Sequence, residues 1–157
     1  MIFKLNVNGK EQEVDAPSNI RLSVLLREIL GRKAVKHSCG CGRCGYCLIL
    51  LNDKPIYSCL YPATKAQNQT IVTLEGITQK SEYNNIIKGF ELANVDLCPN
   101  CAPSRLLITY YQLGRSKELT GDMIENIIQS VTCDCTDNKS LKEAIYLSAN
   151  FYEGGNF

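Results

Sequence analysis

The chain has 157 residues, 45% hydrophobic and 21% charged, with a formal net charge of +1 at pH 7 and a pI of about 7.5, the balance of a globular protein with room for one domain or two small ones. No basic stripe marks a nucleic-acid partner, and no apolar run nears the roughly 20 residues that cross a bilayer. The opening MIFKLNVNGK lacks the apolar core and cleavage site of a secretion signal, so neither nucleic acid nor membrane is expected as a partner and the expected location is cytoplasmic.

Residues 2–7 and 11–15 read as two short strands around Asn8-Gly9, a pair that accepts positive φ at both turn positions. Leu22, Leu25, Leu26, Ile29 and Leu30 recur on one face of an amphipathic helix, and Gly31 is its stop. A loop dense in glycine and cysteine covers 38–47. Strands are expected at 48–51, 56–58 and 70–74, which makes the first half a small β-sheet with one packed helix. Residues 75–80 read as a linker. Beyond it, 83–93, 103–113, 120–131 and 140–151 read as helices. Met123, Ile124, Ile127, Ile128 and Val131 form an apolar stripe on the third. Thr120 is placed to cap that helix, and Ser140 with Glu143 fits a capping box on the fourth. Tyr110 and Tyr111 fit the helical core. Each half is about 70 to 80 residues, a size that gains from a staple such as metal–thiolate bonds.

Nine cysteines are the anomaly, at positions 39, 41, 44, 47, 59, 98, 101, 133 and 135. An odd count without a secretion signal argues against a disulfide framework, and clustered cysteines in a reducing compartment bind metal. The first set is Cys39-x4-Cys44-x2-Cys47, with Cys59 following after eleven intervening residues. That is the plant-type [2Fe–2S] spacing. Four thiolates around two irons concentrate negative charge, and backbone N–H groups aimed at the sulfurs disperse it. Gly40, Gly42 and Gly45 let the chain wrap tightly enough to aim them. The second set is Cys98-x2-Cys101 with Cys133-x-Cys135, placed at expected helix ends where free N–H groups favour anions. By itself it also fits a four-cysteine zinc site; the two sets together favour iron–sulfur chemistry.

Cys41 is left over, as a spare thiol or one that exchanges into the cluster. His37 reads as a solvated loop residue, and Arg43 lies inside the loop, facing solvent or raising a cluster's potential. Gly40-x-Gly42-x-x-Gly45 matches the dinucleotide fingerprint formally, but the flanking strand and helix are missing, so nucleotide binding is not expected. No Ser–His–Asp set, acid/base pair or phosphate loop stands out, so no substrate chemistry is expected on this chain.

The run CGCGRCGYCLILLNDKPIYSC from Cys39 to Cys59, CPNC from Cys98 to Cys101, the interval of 31 residues after it, and CDCT from Cys133 to Thr136 together carry a resemblance. The chain resembles the small iron–sulfur subunit of the xanthine oxidase and carbon monoxide dehydrogenase-type molybdenum hydroxylases, over nearly its whole length. The resemblance implies an α+β chain, with an N-terminal β-grasp plant-type ferredoxin domain at 1–76 followed by an all-α four-helix [2Fe–2S]-binding domain at 81–157. It implies two [2Fe–2S] clusters, one on Cys39, Cys44, Cys47 and Cys59 and one on Cys98, Cys101, Cys133 and Cys135. It also implies a non-catalytic electron-relay subunit of an oxidoreductase complex. A large partner subunit would hold molybdenum–pterin, and a flavin subunit would hold FAD. Electrons would pass from molybdenum to the helical-domain cluster, with Cys135 nearest the pterin, and then to the β-grasp cluster.

The chain departs from the family pattern beside the second set. Leu97 stands where the family has Gln, Pro99-Asn100 where it has Gly-Phe, and Ala102-Pro103-Ser104 where it has Thr-Pro-Gly. Cys133-Asp134-Cys135-Thr136-Asp137-Asn138 replaces Cys-Arg-Cys-Thr-Gly-Tyr. Asp134 in place of Arg lowers that cluster's reduction potential unless something compensates. An electron-transfer protein for a non-molybdenum enzyme, and a structural zinc-binding protein, are the alternative readings. Under the leading one, an exposed apolar face is expected near 98–104.

Overall fold

The computed structural model describes residues 1–116 and 118–151. Five strands form one mixed sheet in the order β2-β1-β5-β3-β4, with β1 at Ile2–Val7, β2 at Lys10–Asp15, β3 at Leu48–Leu51, β4 at Lys54–Tyr57 and β5 at Thr70–Val72. β1 and β2 are an antiparallel hairpin, and Asn8 and Gly9 take φ of 54° and 78° at its turn, as a two-residue loop demands. β5 runs parallel to β1 and antiparallel to β3.

β3 is apolar at every position and buried at every position, because both of its faces meet a core. Ile49 and Leu51 join Phe3, Leu5, Leu22, Leu25 and Ile71 on one side. Leu48 and Leu50 join Ile108, Ile124 and Ile128 on the other. This one strand is therefore the wall between the two cores of the molecule.

Several elements differ from the sequence expectation, each for a local reason. The helix after β2, α1, is α-helical over Leu22–Val24 and then widens into a π-turn over Leu25–Ile29. The Leu30 amide donates to the Leu25 carbonyl, and this wider turn leaves Ile29 42% exposed, outside the buried stripe of Leu22, Leu25 and Leu26. Gly31 ends the helix at φ 68°. β4 begins two residues earlier than expected because Asn52 and Asp53, at φ 47° and 58°, make a tight hairpin turn. β5 ends at Val72 because Asn8 takes over Thr73, accepting from its amide at 2.8 Å and donating to its hydroxyl at 2.9 Å. The linker expected at 75–80 is packed: Ile77 is fully buried, the Glu75 carboxylate accepts from the Ala34 amide at 2.8 Å, and Lys80 donates to the Tyr110 hydroxyl at 2.8 Å.

Four helices follow: α2 at Ser81–Leu92, α3 at Ala102–Arg115, α4 at Gly121–Gln129 and α5 at Asn138–Phe151. Thr120 caps α4 by accepting from the Met123 amide. The cap of α5 is Asp137, not the expected Ser140–Glu143 box. Its carboxylate accepts from the Ser140 amide at 2.9 Å and hydroxyl at 2.7 Å, so the helix starts two residues earlier. These bonds hold the Asp137 carboxyl below the usual carboxylate range. α5 buries Leu141, Ala144, Ile145 and Ser148, a helical stripe. It packs on α2, where a Cβ on Gly89 would lie 2.3 Å from the Ser148 amide nitrogen.

The α4–α5 connection is stitched to the glycine-rich loop before β3. The Thr132 amide donates to the Cys44 carbonyl at 3.0 Å. The Tyr46 hydroxyl donates to the Thr132 carbonyl and the Tyr57 hydroxyl to the Ser130 carbonyl, both at 2.9 Å. Gly45, at φ 78°, passes so close that a Cβ would sit 2.0 Å from the Ser130 oxygen.

Two substitutions probe these close approaches by chemical denaturation. Gly45→Ala adds a collision and a strained φ, and is expected to cost about 1–3 kcal/mol. Gly89→Ala is expected to be net destabilising as well, although alanine gains about 1 kcal/mol over glycine within a helix; unchanged or raised stability in both would contradict the packing described.

Candidate metal centres

Cys98 lies in the turn before α3, and Cys101 is the residue at its N-cap, with Pro103 following inside the first turn. Cys133 and Cys135 lie on the α4–α5 connection, beyond the residues stitched to the loop. The four sulfur atoms of Cys98, Cys101, Cys133 and Cys135 all lie within 4.8 Å of one another. Cys98 and Cys101 are 3.6 Å apart, Cys98 and Cys133 3.6 Å, and Cys101 and Cys135 3.4 Å. The α3 N-terminus, whose free amides favour negative charge, opens beside this group.

The thiols are tuned unequally. Burial pushes the Cys101 thiol up, and the neighbouring sulfurs push it further. Burial also works to raise Cys133, but the Cys135 amide, the nearby Tyr46 phenol and the adjacent thiols outweigh it and bring the group down to about 7. A quartet this tight cannot ionise together unaided, since each thiolate opposes the next. A metal centre removes that conflict, because it binds thiolates and carries positive charge. The donor set fits such a centre.

The first set is arranged differently. Cys39 is exposed, and its sulfur accepts from the amides of Arg43 at 3.3 Å and Cys44 at 3.4 Å. The Cys41 and Cys44 amides are the main causes that bring the Cys39 thiol down to about 6. Gly40 and Gly42, at φ 65° and 75°, turn these amides toward one point, as in an anion-binding nest. Cys47 directly precedes β3 and Cys59 follows β4, and the pairing of Leu48 with Tyr57 brings these ends together. Burial pushes the Cys47 thiol up to about 12, with the Cys59 thiol beside it adding to the effect. In the first set Cys39 and Cys44 are neighbours, as are Cys47 and Cys59, and the Tyr57 phenol lies near both Cys44 and Cys47. Among the described residues the first set does not close into a group as tight as the second set. Its inward amides fit an anionic metal–thiolate centre.

Cys41 has an exposed thiol, and its contribution to the loop is its amide. His37 and Arg43 are exposed. Tyr110 and Tyr111 are buried in the helical core, where Tyr111 accepts from Arg115 at 2.8 Å. The glycine fingerprint has no strand before it and no helix opening at it; β3 follows instead. Leu97 and Ala102 are half-buried at a groove of about 250 Å³ shared with Ile87, Phe90, Val95 and Leu106, and this is the apolar feature nearest the expected face at 98–104.

Three residues of this region carried no sequence signal of their own. Tyr46 touches the second set from within the first, and the Cys133 sulfur beside it, with burial, pushes its phenol up to about 12. Thr132 joins the two sets through its backbone. Arg105 is buried one turn into α3 and donates to the Ile128 and Cys133 carbonyls, both at 3.4 Å.

Residues 5–73 match the family model described as "2Fe-2S iron-sulfur cluster binding domain". The chain is 30% identical over 143 residues to the "Nicotinate dehydrogenase small FeS subunit" of Eubacterium barkeri, covering 91% of each. It is 33% identical over 136 residues to the "Xanthine dehydrogenase iron-sulfur-binding subunit" of Escherichia coli O157:H7, covering 85% of each. Among solved structures, the crystal structure of quinoline 2-oxidoreductase from Pseudomonas putida 86 superposes with a TM-score of 0.85 at 27% identity, over 96% of this chain and 94% of that one. By these likenesses the chain belongs to the small iron–sulfur subunits of the xanthine dehydrogenase-type molybdenum hydroxylases.

Proposed function

We propose that the chain is the electron-relay subunit of a molybdenum hydroxylase complex, carrying one [2Fe–2S] cluster on Cys39, Cys44, Cys47 and Cys59 and a second on Cys98, Cys101, Cys133 and Cys135. Such clusters, when bound, supply one-electron redox chemistry. The observation that carries this reading is the stitch between the two sets. One hydrogen bond, from the Thr132 amide to the Cys44 carbonyl, and one peptide unit separate Cys44 from Cys133.

The rest of the reading follows from how the residues divide. Residues 1–76 form a β-grasp ferredoxin domain, and 81–157 form a four-helix domain built around the second set; residues 152–157 lie outside the described ones. The sheet and its loop hold the first set; α3 and the α4–α5 connection hold the second. The outer edge of the second set is open to a partner: Pro99, Asn100, Asp134 and Cys135 are exposed. A large molybdenum–pterin subunit would dock there, and a flavin subunit nearer Cys39, whose sulfur is also exposed. The departures at Leu97, Pro99, Asn100, Asp134 and Asp137 shape that docking edge. Substrate chemistry belongs to the partner, and the complex works in the cytoplasm. Among the described residues no helix is long and apolar enough to cross a membrane.

A second reading has one observation in its favour. Four sulfurs within 4.8 Å of one another would also suit a single zinc ion.

Anaerobic purification with metal and acid-labile sulfide analysis separates the two. About four irons and about four sulfides per chain are expected, as two diiron centres require. Cys98→Ser is expected to remove one EPR signal of the reduced protein and Cys44→Ser the other, with a molybdenum subunit co-purifying. Stoichiometric zinc and half that sulfide would replace the second cluster with a structural zinc site.

A further inference from the structure

Among the described residues Arg105 is the most enclosed charged side chain, 2% exposed, on the inner face of α3 between Ser104 and Leu106. It lies four residues beyond Cys101, so one helical turn separates it from that ligand. Its guanidinium reaches the α4–α5 side of the second cysteine set. One arm donates to the Ile128 carbonyl and the other to the carbonyl of Cys133 itself, both at 3.4 Å. Its Nε is buried and meets no hydrogen-bond acceptor. None of the ion pairs among the described residues includes it.

That combination is costly. A guanidinium does not lose its proton in a protein, so burial cannot neutralise it. Removing such a charge from water carries a large penalty unless an anion answers it. Two carbonyls at 3.4 Å are at the long limit of a useful hydrogen bond. The negative end of α4 adds a little, since Ile128 lies in its last turn. A purely structural brace would not need the charge. The group beside it that turns anionic on binding metal is the second set: Arg105 touches the Cys133 carbonyl, and Cys101 lies one turn back on the same helix.

We propose that Arg105 is the buried countercharge of the metal–thiolate centre on Cys98, Cys101, Cys133 and Cys135, and raises the reduction potential of the cluster bound there. The inference rests on the reading of that set as a [2Fe–2S] site. Reduction adds one electron, and so one unit of negative charge, to a site already anionic. A fixed cation in a water-poor interior stabilises the reduced form more than the oxidised one. Asp134 acts in the opposite direction, but it is exposed, so water and salt screen it. Arg105 is thus the internal compensation for a positive charge that the loop between Cys133 and Cys135 lacks. Arg105 is a positioning residue acting through field, since it carries no electron and touches no substrate.

The test is a mediated redox titration of the anaerobically purified chain, read by EPR, with the helical-side signal assigned by its loss in Cys98→Ser. Arg105→Gln keeps a hydrogen-bonding head and removes the charge; it is expected to lower the midpoint of the helical-side signal and leave the other unmoved. Arg105→Lys is expected to restore most of that shift, and Asp134→Asn to shift the same midpoint upward by less. Loss of helical-side iron in Arg105→Gln, restored in Arg105→Lys, would also support the countercharge role. An Arg105→Gln protein with full iron and both midpoints unchanged overturns it. A wild-type chain with no second iron–sulfur signal instead removes the function proposed for that set, so the two failures are told apart.

Discussion

The Thr132 amide donating to the Cys44 carbonyl is the bond on which the arrangement turns. It joins a loop before β3 to a connection between α4 and α5 that is 88 residues away along the chain. Around it, Tyr46 and Tyr57 hold the neighbouring carbonyls of Thr132 and Ser130, and Gly45 leaves room for the two backbones to touch. Beneath it, β3 presents one face to each core. The sheet and the helices thus share a strand as well as a seam, and the two cysteine sets are held by one continuous packing arrangement.

Charge is managed differently on the two sides of that seam. In the first set the exposed Cys39 sulfur is met by loop amides, which the glycines at 40 and 42 free to point inward. Such dipoles disperse negative charge without importing a positive one. At the second set, which surrounds the fully buried Cys101, a helix N-terminus and the guanidinium of Arg105 do the corresponding work. Converging loop amides at one set, and a buried cation beside the other, are two solutions to one electrostatic problem. They give two chemically similar sites different local fields, which is what a directional relay needs.

Much of this was legible in the sequence because it is local. The Asn8-Gly9 hairpin, the unbroken apolar β3 and the helical periods each depend on neighbours a few residues apart, and both cysteine sets announce themselves by spacing. What escaped depends on distant partners or on competition between equal local signals. Asp137 outcompeted Ser140 for the α5 cap because its carboxylate takes both the amide and the hydroxyl of Ser140. The segment at 75–80 carries linker composition, yet Ile77 is drawn into the helical core. Ile29 fits the apolar stripe of α1 by period, but a π-turn rotates it toward solvent. Arg105 and Thr132 acquire meaning only when α3 and the α4–α5 connection are brought against the second set, which no window of sequence contains.

The central claim is that the seam holds two one-electron centres at a short, fixed separation. The EPR spectrum of the chain reduced in steps reads this most directly through magnetic interaction between the paramagnetic centres. With one centre reduced, a simple signal is expected. With both reduced, splitting or broadening and faster relaxation of each signal are expected. A fully reduced spectrum that is the plain sum of two unperturbed signals, each relaxing as it does alone, would contradict the account.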